Sequence, residues 1–311
     1  MDLAPIVLFT YNRPIHTRKT LESLMENELS GKSQLFIYVD GPKPNASEEV
    51  LNKIAEVKKV IREKKWCQQV TITEFQTNRT LPVTLVEKIT EITSQYDKII
   101  VLEDDHILSK GFLTYMNEGL ELYRNKPPVM MISGYMFPIR IHLPETFFLK
   151  GHLGWGWGTW KRAWSLFNPS PEELLKEVEQ KGIHAFNLDG SSDYYGLLKK
   201  CAEGSWKYWD IRWEASIYVN NGLCLCPRLS LIRNIGHDGS GVNCGSNLNY
   251  QNQIISEKIK VIPQKIKENK QARNALSRHL RSLTNTLTPI DRIKYHYFSL
   301  LSKITEGRKI I

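Results

Sequence analysis

The sequence predicts an α/β domain built on a mostly parallel sheet, and three observations predict it. Short apolar runs alternate with segments of helical spacing through the first 125 residues. That alternation marks strands joined by crossover helices, which leaves the strands parallel with helices on both faces. Three of the runs end in polar clusters, Tyr11-Asn12-Arg13, Asp40-Gly41-Pro42 and Glu103-Asp104-Asp105, and such sheets bind ligands outside the carboxyl ends of their strands. Finally, 311 residues at 41% hydrophobic and 24% charged are enough to bury a sizeable core.

Each element has its own signal. Ala4–Thr10 is an apolar strand stopped by the Tyr-Asn-Arg-Pro loop. Ile15–Glu28 carries Leu21, Leu24 and Met25 at helical spacing, and Gln34–Val39 is a second strand closed by Asp40-Gly41-Pro42. Ser47–Lys64 is a helix with Ser47 as its N-cap. Val70–Phe75 alternates like a strand, Thr84–Gln95 is helical, and Lys98–Leu102 is a fourth strand ending in the acidic triplet. Gly111–Tyr123 is a further helix.

The second half changes character. Seven of the eight Trp lie between Trp155 and Trp213. Glu172–Lys181 and Asp193–Glu203 read as helices, and Trp213–Cys226 as a helix running into a strand. Cys67, Cys201, Cys224, Cys226 and Cys244 are odd in number and irregular in spacing, which fits core packing better than a disulfide framework or a zinc site. The net charge of +9 is uneven: residues 258–311 hold 13 Lys and Arg against Glu268, Asp291 and Glu306, leaving residues 1–257 at −1. Leu276, Leu280, Leu283 and Leu287 have helical spacing, as do Ile290, Ile293, Tyr297, Leu301 and Ile304, with Pro289 between the two sets. A basic amphipathic tail of this kind is expected to meet an anionic membrane surface, with lid packing, an oligomer seam or nucleic-acid contact as rivals. Met1–Thr10 lacks the basic leader and long apolar run of a signal peptide. The expectation is a cytoplasmic protein, or one docked peripherally on the cytoplasmic face of a membrane.

Several residues could carry chemistry. Glu103-Asp104-Asp105, held at a strand end, suits a hard cation such as Mn2+ or Mg2+ that also accepts phosphate oxygens. The plainer alternative is a solvated acidic turn. Asp40 could accept a hydrogen bond from the imide of uracil, or close an Asx turn with Gly41. Arg13 and Arg79 could grip phosphate through their planar forks, and His106 and His237 are weaker candidates as metal ligands. His152–Trp164 interleaves Gly and Trp, so that backbone could approach a ligand and indole faces could stack on sugar rings. Asp210 and Glu214 lie among aromatics, where low polarity would raise a carboxylate pKa toward that of a general base.

Read in order, these segments resemble glycosyltransferases of the GT-A fold, among them N-acetylglucosaminyltransferase I and bacterial enzymes of surface-polysaccharide synthesis. PIVLFTYNRP, IYVDG, IIVLEDDHILSKGF, GHLGWGWGTW and WDIRWEASIYVNNGLCLCPRLSLIRNIGHDGSG follow one another from about Pro5 to about Gly245. The resemblance implies a Rossmann-like GT-A domain over 1–257, with a nucleotide-sugar half to residue 125 and an acceptor half from 126, followed by C-terminal helices in the tail 258–311. It implies that Thr10, Tyr11, Asn12, Arg13, Asp40, Arg79, Glu103 and Asp104 face a UDP-sugar donor. Asp105 would bind Mn2+, and Trp155, Gly156 and Trp157 would face the acceptor, a glycan or lipid-linked glycan. Asp210 would be the base of an inverting transfer, with Glu214 the alternative because the spacing from Asp210 to Pro227 needs a gap. No nucleic-acid partner is expected. The competing classes are a sugar nucleotidyltransferase, which would want a Gly-rich loop where this chain has TYNRP, and a non-catalytic carbohydrate-binding protein.

Overall fold

The computed structural model describes residues 2–139, 141–205, 208–240 and 252–285. Pro289 and the second apolar set of the tail lie outside the described residues. In the first half, β1 (Ile6–Thr10), α1 (Pro14–Met25), β2 (Gln34–Val39), α2 (Glu48–Val60), β3 (Gln69–Glu74), α3 (Leu81–Tyr96) and β4 (Lys98–Glu103) alternate as expected. After them come β5 (His106–Leu108), α4 (Phe112–Leu122), β6 (Val129–Ser133), β7 (Thr146–Leu149) and β8 (Trp157–Trp160). Four helices then cluster, α5 (Lys161–Trp164), α6 (Pro171–Lys181), α7 (Ile183–Phe186) and α8 (Tyr194–Ala202). The described chain ends in α9 (Asp210–Val219), β9 (Leu223–Pro227), β10 (Ile232–Asn234) and α10 (Lys270–Asn285).

Eight strands form one sheet in the order β3-β2-β1-β4-β8-β6-β9-β7. β3, β2, β1 and β4 run parallel, as do β6 and β9, whereas β8 is antiparallel to both its neighbours. β7 also runs antiparallel, against β9. The chain is therefore α/β with a mixed, mostly parallel sheet. All five residues of β1 are buried, which is why it reads as one apolar run, whereas edge strand β3 alternates. Ser47 caps α2 by accepting from the Val50 N–H, and Ser170 does the same for α6 at Glu173.

The Gly/Trp segment is where the structure departs from expectation. Trp157–Trp160 is a central strand, pairing with β4 and β6, and its indoles are core instead of a platform for sugar rings. Gly158 makes this possible: a Cβ there would stand 2.8 Å from the Ile99 carbonyl oxygen. Trp157, Trp160 and Trp213 are each no more than 1% exposed and fill the main core. A second apolar cluster, built on Leu174, Val178, Phe186, Leu198, Ile211 and Ala215, joins α6–α9.

The stretch after residue 257 does not stand apart. Residues 252–269 run as an extended strap whose inward side chains Ile259, Val261 and Ile266 join the main core. Asn269 N–H donates to the Phe148 carbonyl at 2.8 Å. On α10, Ala272 and Leu276 are buried, and Arg273 bonds Asp189 at 2.9 and 3.0 Å and Glu268 at 3.0 Å. The apolar face of this helix is thus spent on the domain instead of standing open for a lipid interface. Among the described residues, no helix is long and apolar enough to cross a membrane.

Candidate active site

β1 and β4 are neighbours in register, Phe9 beside Glu103. The loops after them therefore emerge side by side, and this brings Arg13 to the acidic triplet. The Arg13 guanidinium bonds the Asp104 carboxylate and lies 3.0 Å from Asp105 Oδ2. Asp104 and Asp105 are 4% and 6% exposed. The ribbon of β5 and β10 then folds back over them. Ile235 N–H donates to the Asp105 carbonyl at 2.9 Å, and the Asn234 amide reaches Asp105 Oδ1 at 3.5 Å. Gly236 lies so close that a Cβ there would overlap Asp105 Oδ2.

Negative charge exceeds positive in this crevice. Burial, with Asp105, Asp104 and Asp210 adding, pushes the Glu103 carboxyl up to about 8 against the opposing pull of Arg13. Burial also raises Asp104, although Arg13 touches it. For Arg13, burial favours the neutral form, but Asp104, Asp105 and Glu103 outweigh it and hold the guanidinium charged. Among the described residues, no three His, Cys, Asp or Glu side chains gather as a ready-made metal cage. Arg13 offsets only part of the charge of Glu103, Asp104 and Asp105, a donor set whose chemistry suits a Mg2+-like or Mn2+-like ion that takes one or two protein ligands and fills its shell with water.

His106 is not such a ligand. Its Nδ1 accepts the Glu103 N–H at 3.1 Å, and burial lowers its pKa to about 4. A neutral ring whose Nδ1 is an acceptor carries its proton on Nε2, so Nε2 is a donor, 3.6 Å from Asp105 Oδ1. His237 packs against Trp155, ring centroids 5.4 Å apart.

Asp210 opens α9. The residue is exposed to water yet crowded by protein, and that crowding raises its pKa. Oδ1 accepts from the Ile211 N–H at 2.8 Å. Its charge adds to the rise of the Glu103 carboxyl. Glu214, one turn on, turns inward instead: it is 6% exposed and accepts the His152 N–H.

Other expected residues are placed differently. Asp40 receives four donors: Gly41 N–H at 2.9 Å, Arg79 N–H at 2.8 Å, Asn78 Nδ2 at 2.9 Å and Thr80 N–H at 3.1 Å. A carboxylate has about four lone-pair sites, so Asp40 is saturated holding the loop after β3 and has none left for a uracil imide. Arg79 pairs its guanidinium with Glu87 at 2.5 Å and covers the Phe75 ring. Thr10 is buried and donates to the Tyr38 carbonyl at 3.3 Å, while Tyr11 and Asn12 stay half-buried beside Arg13.

On the acceptor side the three expected residues separate. Trp157 stacks on Trp209, 5.3 Å between centroids, inside the core and out of reach of any sugar. Gly156, at φ +53°, is small because Ile232 occupies the place of its side chain. Trp155 alone is partly exposed, packed edge-on to Tyr135 at 4.4 Å. Trp157→Ala is expected to cost about 3–5 kcal/mol of stability, read as a fall in denaturant midpoint, whereas Trp155→Ala should cost much less. Equal midpoints for the two variants would contradict this division.

Asn234, Gly236 and Thr20 belong to the site but were not singled out from sequence; Thr20 donates to the Asp104 carbonyl at 2.8 Å. Gly236 had a local signal in the Gly-containing stretch after β10, whereas Thr20 in α1 and Asn234 at the end of β10 had none.

No protein-family model matches this sequence, and no curated protein matches it either. Solved structures are similar over part of the chain. Residues 1–349 of S. aureus TarS share 12% identity at a TM-score of 0.32, over 57% of this chain and 49% of that one. Mouse xyloside xylosyltransferase 1, apo form, shares 14% identity at a TM-score of 0.26, over 42% and 52%. The longer S. aureus TarS structure shares 11% at 0.29, over 47% and 25%. The chain thus spans between a quarter and about half the length of these structures, too little to add to the geometry.

Proposed function

We propose that this protein is a GT-A glycosyltransferase that moves a sugar from a UDP-sugar to a glycan or lipid-linked glycan hydroxyl with inversion, in the presence of Mn2+ or Mg2+. N-acetylglucosamine or another hexose is the sugar that the sequence resemblance implies. The observation that carries the reading is the meeting of Arg13 with Asp104 and Asp105 at the carboxyl ends of the adjacent parallel strands β1 and β4, with the Asp210 charge acting on Glu103 beside them. There Arg13 orients the diphosphate and Asp105 would hold the cation. A bound cation supplies charge neutralisation for the leaving nucleotide. Asp210 takes the proton from the acceptor hydroxyl as its oxygen approaches the anomeric carbon, and Tyr11 and Asn12 flank the nucleoside. Positioning and electrostatics do most of the work of such a transfer. Incubation with UDP-sugars, Mn2+ and an acceptor panel, read by mass spectrometry, tests the reading. Absence of sugar transfer or UDP release across hexose and N-acetylhexosamine donors would refute it, and pyrophosphate release from UTP would favour a nucleotidyltransferase.

We propose that the membrane contact expected of residues 258–311 uses the strap. Lys258, Lys260, Lys265 and Lys267 are exposed there, as are Ile254 at 89% and Ile262 at 45%. Each Lys near an anionic surface adds about 1 kcal/mol. The full chain is expected to sediment with phosphatidylglycerol vesicles at low salt, and Lys→Glu at these four positions should release it. Equal sedimentation of the fourfold variant would remove the strap from the interaction.

A further inference from the structure

Glu214 is a buried carboxylate that the proposed transfer does not use. It sits four residues after Asp210, so it lies one turn further along the same face of α9. Its Oε2 accepts the backbone N–H of His152, 62 residues away in the chain. Its Oε1 fills the space where residue 151 would carry a side chain: a Cβ on Gly151 would stand 2.5 Å away, and Gly151 is at φ +102°. A second tie runs in parallel. The His152 ring packs edge-on against Trp209, 5.3 Å between centroids, and Trp209 is the residue before Asp210. Two contacts, one on either side of Asp210 along the chain, therefore converge on one loop residue. That loop leads within three residues to Trp155, the only expected acceptor aromatic that retains exposure.

We infer that Glu214 is a positioning residue, a clamp that fixes the Gly151–Trp155 loop to the helix carrying Asp210 and so sets the distance between acceptor and base. The inference rests on the proposed transfer for its purpose, but the clamp itself is a matter of hydrogen bonding. The environment agrees. Burial, with Asp210 adding, pushes the Glu214 carboxyl up to about 8 against the His152 N–H and Arg273 of α10. Cys224 of β9 also feels its charge. Near neutral pH the group is mostly protonated, and the oxygen without the proton accepts the His152 N–H.

Because the folded pKa lies above the ordinary 4.5, the folded form keeps a proton that the unfolded chain loses between about pH 4.5 and 8. Stability from this group is present at low pH and lost as pH rises through that window. Glu214→Gln mimics the protonated carboxyl and abolishes the dependence.

Three readouts test the clamp on the full chain: hydrogen exchange at the His152 amide, the pH dependence of the melting temperature, and kcat and KM for acceptor. Glu214→Gln should keep the His152 amide protected, hold kcat within about threefold of wild type, and gain melting temperature relative to wild type as pH rises from 5 to 8. Glu214→Ala should expose that amide by tenfold or more in exchange rate and raise acceptor KM by about tenfold at unchanged UDP affinity. An inactive, folded Glu214→Gln with its amide protected would make Glu214 the base and overturn the inference. So would unchanged His152 exchange in Glu214→Ala, or in Glu214→Leu should the Ala variant not fold. If no form of the protein transfers sugar, the glycosyltransferase reading falls, while the exchange result still decides the clamp.

Discussion

Asp210→Asn is expected to lower turnover by about 100-fold or more, the scale of lost general-base catalysis. The substitution keeps the shape of the side chain and the hydrogen bond from the Ile211 N–H, which an amide oxygen accepts equally well. It removes the capacity to take a proton. Asp210 opens α9 and touches neither Arg13 nor Asp105 in the network of bonds described above, so UDP affinity should stay within about twofold, a shift of under 0.5 kcal/mol. The rate of wild type should fall at low pH, as the carboxylate protonates at a pKa that crowding by the protein places above the ordinary value. Single-turnover rates together with UDP titration separate the two effects. A folded Asp210→Asn variant with wild-type kcat would remove Asp210 from the chemistry.

Asp105→Asn is expected to abolish metal-supported turnover with the fold intact. Asp104 still anchors Arg13, and an amide at 105 still fills the space under Gly236. What disappears is the charge that suits a divalent ion, and with it the cover for a diphosphate leaving group. Losing one charged ligand of one or two should weaken Mn2+ binding by at least about 10-fold, read by titration in the presence of UDP. The circular-dichroism melt should stay within a few degrees of wild type. If a chelator leaves the wild-type rate unchanged, metal dependence is wrong whatever the variant does.

The first half of the fold was legible because its signals are local. A strand such as Ile6–Thr10, buried on both faces, needs five consecutive apolar or small residues, and Gln34–Val39 was read with the bounds the structure has. The strand end at Glu103 was legible for the same reason. The second half was not, because burial there is decided by partners far along the chain. Val129–Ser133 lies wholly buried between β8 and β9, yet a short apolar run between Pro128 and Gly134 carries no period that separates strand from turn. Trp157 reads in sequence as a sugar platform and becomes core only because Gly158 lets β8 press against β4.

The same division runs through the candidate site. Local pattern was enough to tell which chemical groups are present and where strands stop: an arginine after β1, three acids at the end of β4, two carboxylates one helical turn apart. Tertiary structure decided which of them meet. Arg13 reaches Asp104 across 91 positions of chain because β1 and β4 are adjacent in the sheet. Asp40, chemically able to read a base, is consumed by four donors, three of them in a loop about 40 residues away. Asp210 and Glu214 are indistinguishable as residue types, but one opens to water and the other closes on Gly151 and His152. A carboxylate's role depends on its solvation and on which donors face it, and both are set by packing between segments that no local pattern records.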